Sequence, residues 1–263
     1  MSETALPPVP SDRPVALVTG GRRGLGRGIA LSLAQAGFDI VLNDVVEDEE
    51  TYATIKALGA FGISARFLRH DIGDIEGHAA FVRAAAASFG RIDCLVNNAG
   101  IQVPRRIGLL EVGAEEFDRV VNINLRGTFF LTQEIARWMR ANDGRDRRSI
   151  ISITSSNASL ASTDKAAYCL AKSALSMMTA LFALELGDHN IQVYEIRPGL
   201  MATDMTAMVR EKYANYIAEN TLFKRWGEPD DVGRAVAALA TGAIPYASGE
   251  IINVDGGMHI RRL

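Results

Sequence analysis

Residues 15–26 read VALVTGGRRGLG and run directly into RGIALSLAQAG at residues 27–37. The apolar run VALVT is typical of a buried strand, and the stretch after the glycines has helical periodicity. Glycines at positions 20, 24 and 26 permit positive φ and a close backbone approach to phosphate, while a helix N-terminus offers free N–H groups to an anion. The stretch therefore predicts a strand, turn and helix that bind a dinucleotide, with a plain tight turn as the alternative.

Glycine spacing and a downstream acidic residue refine this prediction. The spacing is G-x-x-x-G-x-G, because Ile29 stands where a G-x-G-x-x-G loop has its third glycine, and no G-K-[ST] follows. A kinase or ATPase is therefore disfavoured. Asp44 ends the next apolar run, and an acidic residue about 20 residues beyond such a loop accepts hydrogen bonds from the adenosine ribose. A cap on the following helix is the alternative role for Asp44.

Short apolar runs alternate with longer helical stretches along the chain. The predicted strands are VALVT, DIVLN, ISARFL, DCLVN, SIISIT, IQVYEI and EIINV. The predicted helices include DIEGHAAFVRAAAASFG, which begins at Asp74, and one from about Glu115 to Met139. Apolar strands that alternate with helices form a parallel sheet covered on both faces. The sequence therefore predicts an α/β fold, a single doubly wound Rossmann-type domain with a parallel sheet of about seven strands.

Two segments fall outside this alternation. Residues 1–13 are rich in proline and poor in apolar residues, which predicts a flexible leader before a catalytic domain at residues 14–263. Residues 200–226 have a mixed character and follow the sixth strand, so they predict a helical excursion over the carboxyl edge of the sheet, where ligands bind. A substrate lid is the functional interpretation, and a surface insertion without a ligand is the alternative.

The composition limits the class of protein. The chain has 263 residues, 48% of them hydrophobic, and a formal net charge of −3, which is typical of a globular protein without the basic field that nucleic acid requires. No apolar run reaches the roughly 20 residues of a membrane helix, and no secretion signal is visible, so we expect a cytoplasmic protein with no membrane partner. Cys94 and Cys169 lack CxxC spacing and the four histidines lack ligand spacing, so no metal site is predicted.

Four further segments carry a family resemblance. They are Asn97-Asn98-Ala99-Gly100 after the fourth strand, Asn124 in VVNINLRG, Ser155 in ISITSSN, and Tyr168 in YCLAK. Together with TGGRRGLG they resemble the short-chain dehydrogenase/reductase family, over nearly the whole of residues 15–257. The resemblance implies an NAD(P)-dependent oxidoreductase that transfers a hydride between nicotinamide and a small secondary alcohol or ketone.

The resemblance also implies a catalytic tetrad of Asn124, Ser155, Tyr168 and Lys172. The interval from Ser155 to Tyr168 agrees with the family spacing and selects Ser155 among its hydroxyl neighbours, while N-L-R-G selects Asn124. Tyr168 and Lys172 lie four residues apart on one helix face, so the ammonium is expected to lower the phenol pKa from about 10 and make Tyr168 a general acid/base. Ser155 would hydrogen-bond the substrate oxygen.

Cofactor contacts follow from the same resemblance. Asp71 with Ile72 would contact adenine, although Asp71 could instead cap a helix. Lys172 would contact the nicotinamide ribose. The full expected set is Gly20, Arg22, Arg23, Gly24, Leu25, Gly26, Asp44, Asp71, Ile72, Asn98, Ala99, Gly100, Tyr168, Lys172, Pro198, Gly199 and Thr203.

NAD is predicted over NADP, although NADP use is possible. The Asp44 carboxylate would repel a 2′-phosphate by roughly 3 kcal/mol at about 5 Å and an effective dielectric of about 20. Arg22 and Arg23 favour NADP, but both are expected to be flexible and exposed, so that solvent screens their attraction. Asp44 is therefore expected to decide the choice.

Two alternative functions remain open. The first is a 3-oxoacyl-[acyl-carrier-protein] reductase using NADPH, whose carrier would need a basic patch; the candidates Arg210, Lys212, Lys224 and Arg225 are diluted by Glu211, Glu219 and Glu228. The second is a non-catalytic nucleotide-sensing protein, which the intact tetrad disfavours. Substrate identity is not readable, but position suggests as pocket wall Gln102, Asn157, Met201, Tyr213, Tyr216 and Trp226.

The resemblance further implies a homotetramer assembled through two long helices. The stretches LTQEIARWM and ALSMMTALFALEL carry more apolar residues than one sheet-facing stripe needs, which is consistent with such an interface.

Overall fold

Seven strands follow the predicted apolar runs in a computed structural model of the chain, which describes residues 11–142, 148–211 and 213–261. The strands are β1 (Val15–Thr19), β2 (Asp39–Asp44), β3 (Ala65–Arg69), β4 (Cys94–Asn97), β5 (Arg148–Ile153), β6 (Ile191–Pro198) and β7 (Ile251–Val254). They form one sheet in the order β3-β2-β1-β4-β5-β6-β7, with every neighbouring pair parallel. The predicted fold class is therefore confirmed.

Helices cover both faces of the sheet. They are α1 (Gly24–Gln35), α2 (Glu49–Gly59), α3 (His78–Phe89), α4 (Ala114–Val121), α5 (Thr128–Ala141), α6 (Ala166–Leu186), α7 (Ala214–Asn220) and α8 (Pro229–Ala240). Successive residues of β1 enter opposite cores: Val15 and Leu17 pack with α3, α5 and α6, whereas Ala16 and Val18 pack with α1 and α8. All four are fully buried, which explains why β1 reads as a continuous apolar run.

Two predicted helices differ from the observed ones. The helix expected to begin near residue 74 begins at His78, because a turn intervenes in which Asp71 accepts a hydrogen bond from the N–H of Gly73 (2.8 Å). The alternative role of Asp71 as a helix cap is therefore wrong. The helix expected over residues 115–139 is interrupted by a π-helical segment, Asn122–Gly127. Gly127 there contacts the Ile72 carbonyl so closely that a Cβ would overlap it.

Helix α6 with its flanking turns, Thr163–His189, is long and apolar enough by length and composition to cross a membrane. In this fold one face of α6 packs on the sheet through buried Leu175 and Met178.

The expected leader lies mostly outside the described residues, since residues 1–10 are not described, and Lys212 is not described either. Ser11 lies against the domain: its N–H donates to the Phe89 carbonyl (3.2 Å), and its hydroxyl donates to the Asp39 carboxylate.

The strand order reverses between β1 and β4, so the connections leave these two strands in opposite directions. A crevice opens outside the carboxyl ends of strands at such a point, and ligands of open α/β sheets bind there. The glycine loop follows β1 and Asn98 to Gly100 follow β4, so both predicted motifs reach this crevice.

Candidate active site

The turn after β1 has the backbone geometry expected of a phosphate-binding loop. Gly20 and Gly24 have φ of +62° and +55°, which L side chains rarely adopt. A Cβ at Gly26 would overlap the Gly20 carbonyl oxygen. Within the described residues, the N-terminus of α1 receives no side-chain cap and has no acidic residue in its first turn. Its N–H groups and dipole therefore suit an anion such as a diphosphate.

Asn98 and Thr19 hold this loop in place through hydrogen bonds at the carboxyl ends of β1 and β4. The Asn98 amide donates to the carbonyls of Thr19 (2.9 Å) and Gly20 (3.0 Å). The Thr19 hydroxyl accepts from the N–H groups of Asn98 and Ala99, each at 3.0 Å. The Asn98 side chain thus shapes the loop by tying the ends of β1 and β4 together.

The two arginines of the loop differ in environment. Arg22 donates to Asp48 (2.5 Å) and Glu50 (2.6 Å) at the start of α2, and only 11% of its side chain is exposed. The expectation of a flexible, exposed Arg22 is therefore wrong: its charge is held by two carboxylates. Arg23 is exposed, as expected, and lines a cleft of about 520 Å³ together with Gly24 and Thr203.

The acidic residues predicted to contact adenosine lie at the same edge. Asp44 ends β2, is partly exposed, and accepts from the N–H of Val45 (2.8 Å). Asp71 is exposed on the loop after β3, and the Ile72 side chain beside it is buried in the core. Asp44 therefore has carboxylate capacity left for a ligand.

Ser155 follows β5 at the carboxyl edge and is nearly buried. Its backbone is extended, and it caps a short 3₁₀ turn, Ser156–Ala158, by accepting from the N–H of Asn157 (3.1 Å). The cap fixes the hydroxyl oxygen toward the first turn of α6, where Tyr168 lies.

Tyr168 and Lys172 share one face of α6. The Lys172 Nζ lies 5.7 Å from the centre of the Tyr168 ring and donates to the Ile153 carbonyl at the end of β5 (2.9 Å). Burial raises the pKa of Tyr168, while hydrogen bonding to Ser155 and Gln102 lowers it in part. The expected lowering of this pKa by the Lys172 ammonium is therefore wrong. Burial also lowers the pKa of Lys172 itself to about 8.

Asn124 lies in the π-helical segment and is 1% exposed. Its amide donates to the Ile101 carbonyl (2.8 Å), and its carbonyl oxygen accepts from the Ile101 N–H (2.7 Å). A Cβ at Gly100 would lie 3.0 Å from the Asn124 oxygen and 3.8 Å from the Lys172 Nζ. The absence of a side chain at Gly100 thus keeps Asn124 and Lys172 close to the loop after β4.

Residues after β6 complete the crevice. Pro198 ends β6, and Gly199 packs against Asp255. A Cβ at position 199 would lie 2.7 Å from the Asp255 Cα. The Thr203 side chain faces Gly24 across the cleft, within 3.7 Å of a Cβ built there. Position 203 thus joins the segment after β6 to the glycine loop.

The segment predicted as a lid leaves and re-enters the domain at one point. Met201 and Gly227 form a parallel bridge, in which the Ala202 N–H donates to the Gly227 carbonyl (2.7 Å). Between them lie a 3₁₀ helix, Asp204–Val209, and α7. Met201 is buried in the core, so its expected place in the pocket wall is wrong.

Sequence reasoning missed two cations near the catalytic groups. Arg106 donates to the Tyr213 hydroxyl (2.8 Å) and to Asp164 (3.2 Å), and the Lys165 Nζ donates to the side-chain Oδ1 of Asn157 (3.3 Å). The available signal was their position: Arg106 is the second residue after NNAGIQVP, and Lys165 is three residues before Tyr168. Of the residues suggested as a carrier patch, Arg225 is paired with Asp231 (2.7 Å), which removes its charge from that patch.

Comparisons with known proteins cover most of the chain. A family model described as enoyl-(acyl carrier protein) reductase matches residues 20–259. A Dickeya dadantii protein named 2-dehydro-3-deoxy-D-gluconate 5-dehydrogenase is 40% identical over 246 residues, which is 92% of this chain and 94% of that protein.

Two similar solved structures hold a dinucleotide. A 3-oxoacyl-[acyl-carrier protein] reductase from Brucella melitensis in complex with NAD is 42% identical, has a TM-score of 0.92, and matches 96% of this chain and 100% of its own. An Agrobacterium tumefaciens protein with bound NADP is 33% identical, has a TM-score of 0.85, and matches 94% of this chain and 97% of its own.

Proposed function

The chain belongs to the short-chain dehydrogenase/reductase family and is an NAD(P)-dependent oxidoreductase, and from that premise we propose that Asn124, Ser155, Tyr168 and Lys172 are its catalytic residues. The observation that carries the proposal is the convergence of three of them at one point. The Ser155 hydroxyl interacts with the Tyr168 phenol, and the Lys172 ammonium lies 5.7 Å from the same ring. The reaction is hydride transfer between nicotinamide and a secondary alcohol or ketone.

Each side chain has a role that its contacts suit. Tyr168 holds the proton that moves to or from the substrate oxygen, and Ser155 donates a hydrogen bond to that oxygen as charge develops on it. Lys172 is anchored to the Ile153 carbonyl and orients the nicotinamide ribose. Asn124 fixes the loop after β4 through its two bonds to Ile101. The bound cofactor supplies or accepts the hydride.

The glycine loop and the acidic residues beside it bind the cofactor in this proposal. The N-terminus of α1 takes the diphosphate, and Asp44 takes the adenosine ribose hydroxyls, which favours NAD. Asp71 and Ile72 border the adenine. The nicotinamide half contacts Pro198, Gly199 and Thr203.

Three further features belong to the same proposal: a substrate lid, a cytoplasmic location and a homotetramer. Residues 200–226 act as a substrate lid, supported by their anchored ends at Met201 and Gly227. The protein acts in the cytoplasm. It forms a homotetramer, supported by an outward apolar row on α6 whose members are Leu170, Met177, Leu181 and Leu184. Sedimentation as a stable monomer at micromolar concentration would contradict the tetramer.

Replacement of Tyr168 by Phe tests the catalytic assignment. Tyr168→Phe removes the titrating hydroxyl but keeps the packed ring, so we expect turnover to fall by about 10²- to 10⁴-fold while the cofactor Kd stays within about twofold. Steady-state rates from nicotinamide absorbance and a cofactor titration measure the two quantities. Turnover within about threefold of the unchanged protein at optimal pH would reject Tyr168 as the acid/base. Cofactor-linked turnover of the unchanged protein itself excludes a non-catalytic nucleotide sensor.

The raised pKa of the Tyr168 phenol bears on the pH dependence of each rate. The protonated phenol donates to a ketone oxygen, whereas alcohol oxidation needs the phenolate. We therefore expect kcat for alcohol oxidation to rise with pH.

A second candidate is reduction of a 3-oxoacyl group on a carrier protein. The similarity to the Brucella melitensis reductase favours it. The pairing of Arg225 with Asp231 weakens it, because a carrier would need free basic groups at the mouth of the cleft. Rates with 3-oxoacyl thioesters against small ketones separate the two candidates.

A further inference from the structure

Two cations, Lys165 and Arg106, lie on segments that adjoin the proposed catalytic residues. Lys165 immediately precedes α6, three residues before Tyr168, and its Nζ donates to the side-chain Oδ1 of Asn157 (3.3 Å). The N–H of the same Asn157 donates to the Ser155 hydroxyl oxygen (3.1 Å). The Lys165 ammonium is therefore two hydrogen-bonded steps from the hydroxyl expected to hold the substrate oxygen.

The charge of Lys165 has no carboxylate partner within salt-bridge distance among the described residues. Its neighbour Asp164 is engaged elsewhere, by the Arg106 guanidinium (3.2 Å) and the Ser162 hydroxyl (2.5 Å). Partial burial lowers the pKa of Lys165, with the Arg106 charge adding to the effect. Cations removed from water are normally paired, and this half-buried ammonium has no ion pair of its own among the described residues.

A purely structural role explains Lys165 poorly. It stands at the N-terminus of the 21-residue α6, where the helix dipole is positive and a cation is unfavourable. Its single amide partner does not neutralise it. An anion at this position would interact favourably with both the ammonium and the helix end.

Arg106 is a second cation near Lys165, and it links the loop after β4 to the segment of residues 200–226. It lies on the loop between β4 and α4, donates to the Tyr213 hydroxyl (2.8 Å), and has its guanidinium 5.9 Å from the centre of the Tyr213 ring. Tyr213 belongs to the proposed lid. Arg106, Lys165 and Asp164 together carry one net positive charge, at the point where loop, helix and lid meet.

We propose that Lys165 and Arg106 bind a carboxylate of the substrate, so that the enzyme acts on a hydroxy acid or keto acid whose reacting carbon is held at Ser155 and Tyr168. This inference rests on the proposed function. A substrate carboxylate supplies the counter-charge that Lys165 lacks, and Arg106 binds it while linking it to the lid through Tyr213. A simple alcohol has no anionic group for these cations.

Matched pairs of substrates test the proposal. We would measure kcat and KM for D-gluconate against D-glucitol, L-threonate against L-threitol, and 3-hydroxybutyrate against 1,3-butanediol. In each pair CH₂OH replaces the carboxylate. The variants are Lys165→Met and Arg106→Met, with Lys165→Arg as the conservative replacement. Lys56→Met is the control, because Lys56 is exposed on α2, far along the chain from these groups.

The expected result is a preference of the unchanged enzyme for at least one acid over its alcohol by about tenfold or more in kcat/KM. Lys165→Met should remove this preference by raising KM for the acid about tenfold, with kcat reduced less than threefold. Loss of a buried partner of a charged group has effects of this order or larger. Lys165→Arg should retain most of the preference, and Lys56→Met should leave it unchanged.

Three outcomes would overturn the inference. The first is equal or better turnover of the alcohols by the unchanged enzyme. The second is an equal loss for acid and alcohol in Lys165→Met, which would assign Lys165 to positioning Asn157 and Ser155. The third is an absence of turnover with all three pairs, which rejects the carboxylate site. The proposed function fails as well only if 3-oxoacyl thioesters and simple ketones also give no cofactor-linked turnover.

Discussion

The glycine loop and the mouth of the substrate cleft are built by different means. The glycine loop (residues 19–26) is defined by backbone: positive φ at Gly20 and Gly24, a missing Cβ at Gly26, and carbonyls held by Asn98. The substrate mouth, which we define as residues 101–112, 155–168 and 200–226, is defined by side chains. A diphosphate needs one backbone shape, which few residue types can form, whereas a substrate can be held by many combinations of side chains.

The two regions also differ in exposure. The backbone of the glycine loop is surrounded by buried strand ends, while the substrate mouth carries exposed apolar side chains such as Leu110 (98% exposed) and Phe223 (72% exposed). A substitution in the first region should therefore act through shape and affect any dinucleotide. A substitution in the second should act through one contact and affect only some substrates.

The largest expected effect on cofactor binding comes from adding one carbon to the glycine loop. In Gly26→Ala the new Cβ would overlap the Gly20 carbonyl oxygen and crowd the Asn98 amide. Such overpacking costs about 1–3 kcal/mol, which corresponds to a rise of roughly tenfold to a hundredfold in the cofactor Kd if the loop must move. Cofactor titration by nicotinamide fluorescence measures it.

Gly187→Ala is the matched control, since nothing lies within 4 Å of a Cβ at Gly187 and no positive φ is required there. It should leave cofactor Kd unchanged. An unchanged Kd in Gly26→Ala would show that the loop adapts easily, and would remove the distinction between the two regions.

Sequence reasoning succeeded where backbone shape or burial decides the residue type. The seven strands and the strand, turn and helix of the glycine loop are of this kind, because apolar runs and glycines carry them. The expectation that Ser155 and Tyr168 act together came from the family resemblance, and the two side chains do interact. It failed for contacts between side chains distant in sequence. The pairing of Arg22 with Asp48 and Glu50 depends on how α2 returns beside the loop, 26 and 28 residues later.

Sequence reasoning missed the two cations and the π-helical segment for a related reason. Arg106 and Lys165 are 59 positions apart, and nothing local tells that Asp164 pairs with the first and not with the second. The π-helical turn at Asn122–Gly127 has no residue pattern of its own, since it arises where Gly127 meets the Ile72 carbonyl. The burial that raises the Tyr168 pKa is likewise a property of the assembled site.

A medium effect is expected at Asp44, the side chain proposed to choose between NAD and NADP. With Arg22 held by Asp48 and Glu50, only Arg23 of the loop arginines is exposed to a 2′-phosphate. Removal of the Asp44 carboxylate removes a repulsion of roughly 3 kcal/mol at about 5 Å. We therefore expect NAD preference in the unchanged enzyme, and Asp44→Ala to move the ratio of kcat/KM toward NADP by about tenfold or more.

Steady-state kinetics with both cofactors decide this point. Glu47→Ala, which removes an exposed carboxylate from the same turn, should move the ratio less than twofold. A preference of the unchanged enzyme for NADP would assign the choice to Arg23 and would mean that a side chain of the glycine loop, and not its backbone alone, selects the ligand.

The smallest expected effect is an acid sensitivity confined to the cofactor side. The His78 Nε2–H donates to the Ile72 carbonyl (3.0 Å), and the His70 ring stacks on Phe81 with ring centres 4.6 Å apart. Burial is the largest cause that lowers the pKa of both rings. Asp74 and Asp71 oppose it at both rings, and the Ile72 carbonyl and Glu134 also oppose it at His78. The ordinary value of 6.5 applies in the unfolded chain, which therefore binds more protons below that pH than the folded protein does.

The stability that the two neutral histidines contribute is thus fully present above pH 6.5. It is lost as the pH falls through their lowered pKa values in the folded protein. Chemical denaturation at about pH 7.5 and about pH 5 should give a lower free energy of unfolding at the acid pH, with a parallel loss of cofactor affinity because His78 holds the loop beside Asp71. His70→Phe keeps the stack on Phe81 and removes one titrating ring, so its acid loss should be smaller than that of the unchanged protein. An equal acid loss in both proteins would move the sensitivity to other groups, and this loop would then resemble the glycine loop in depending on backbone shape alone.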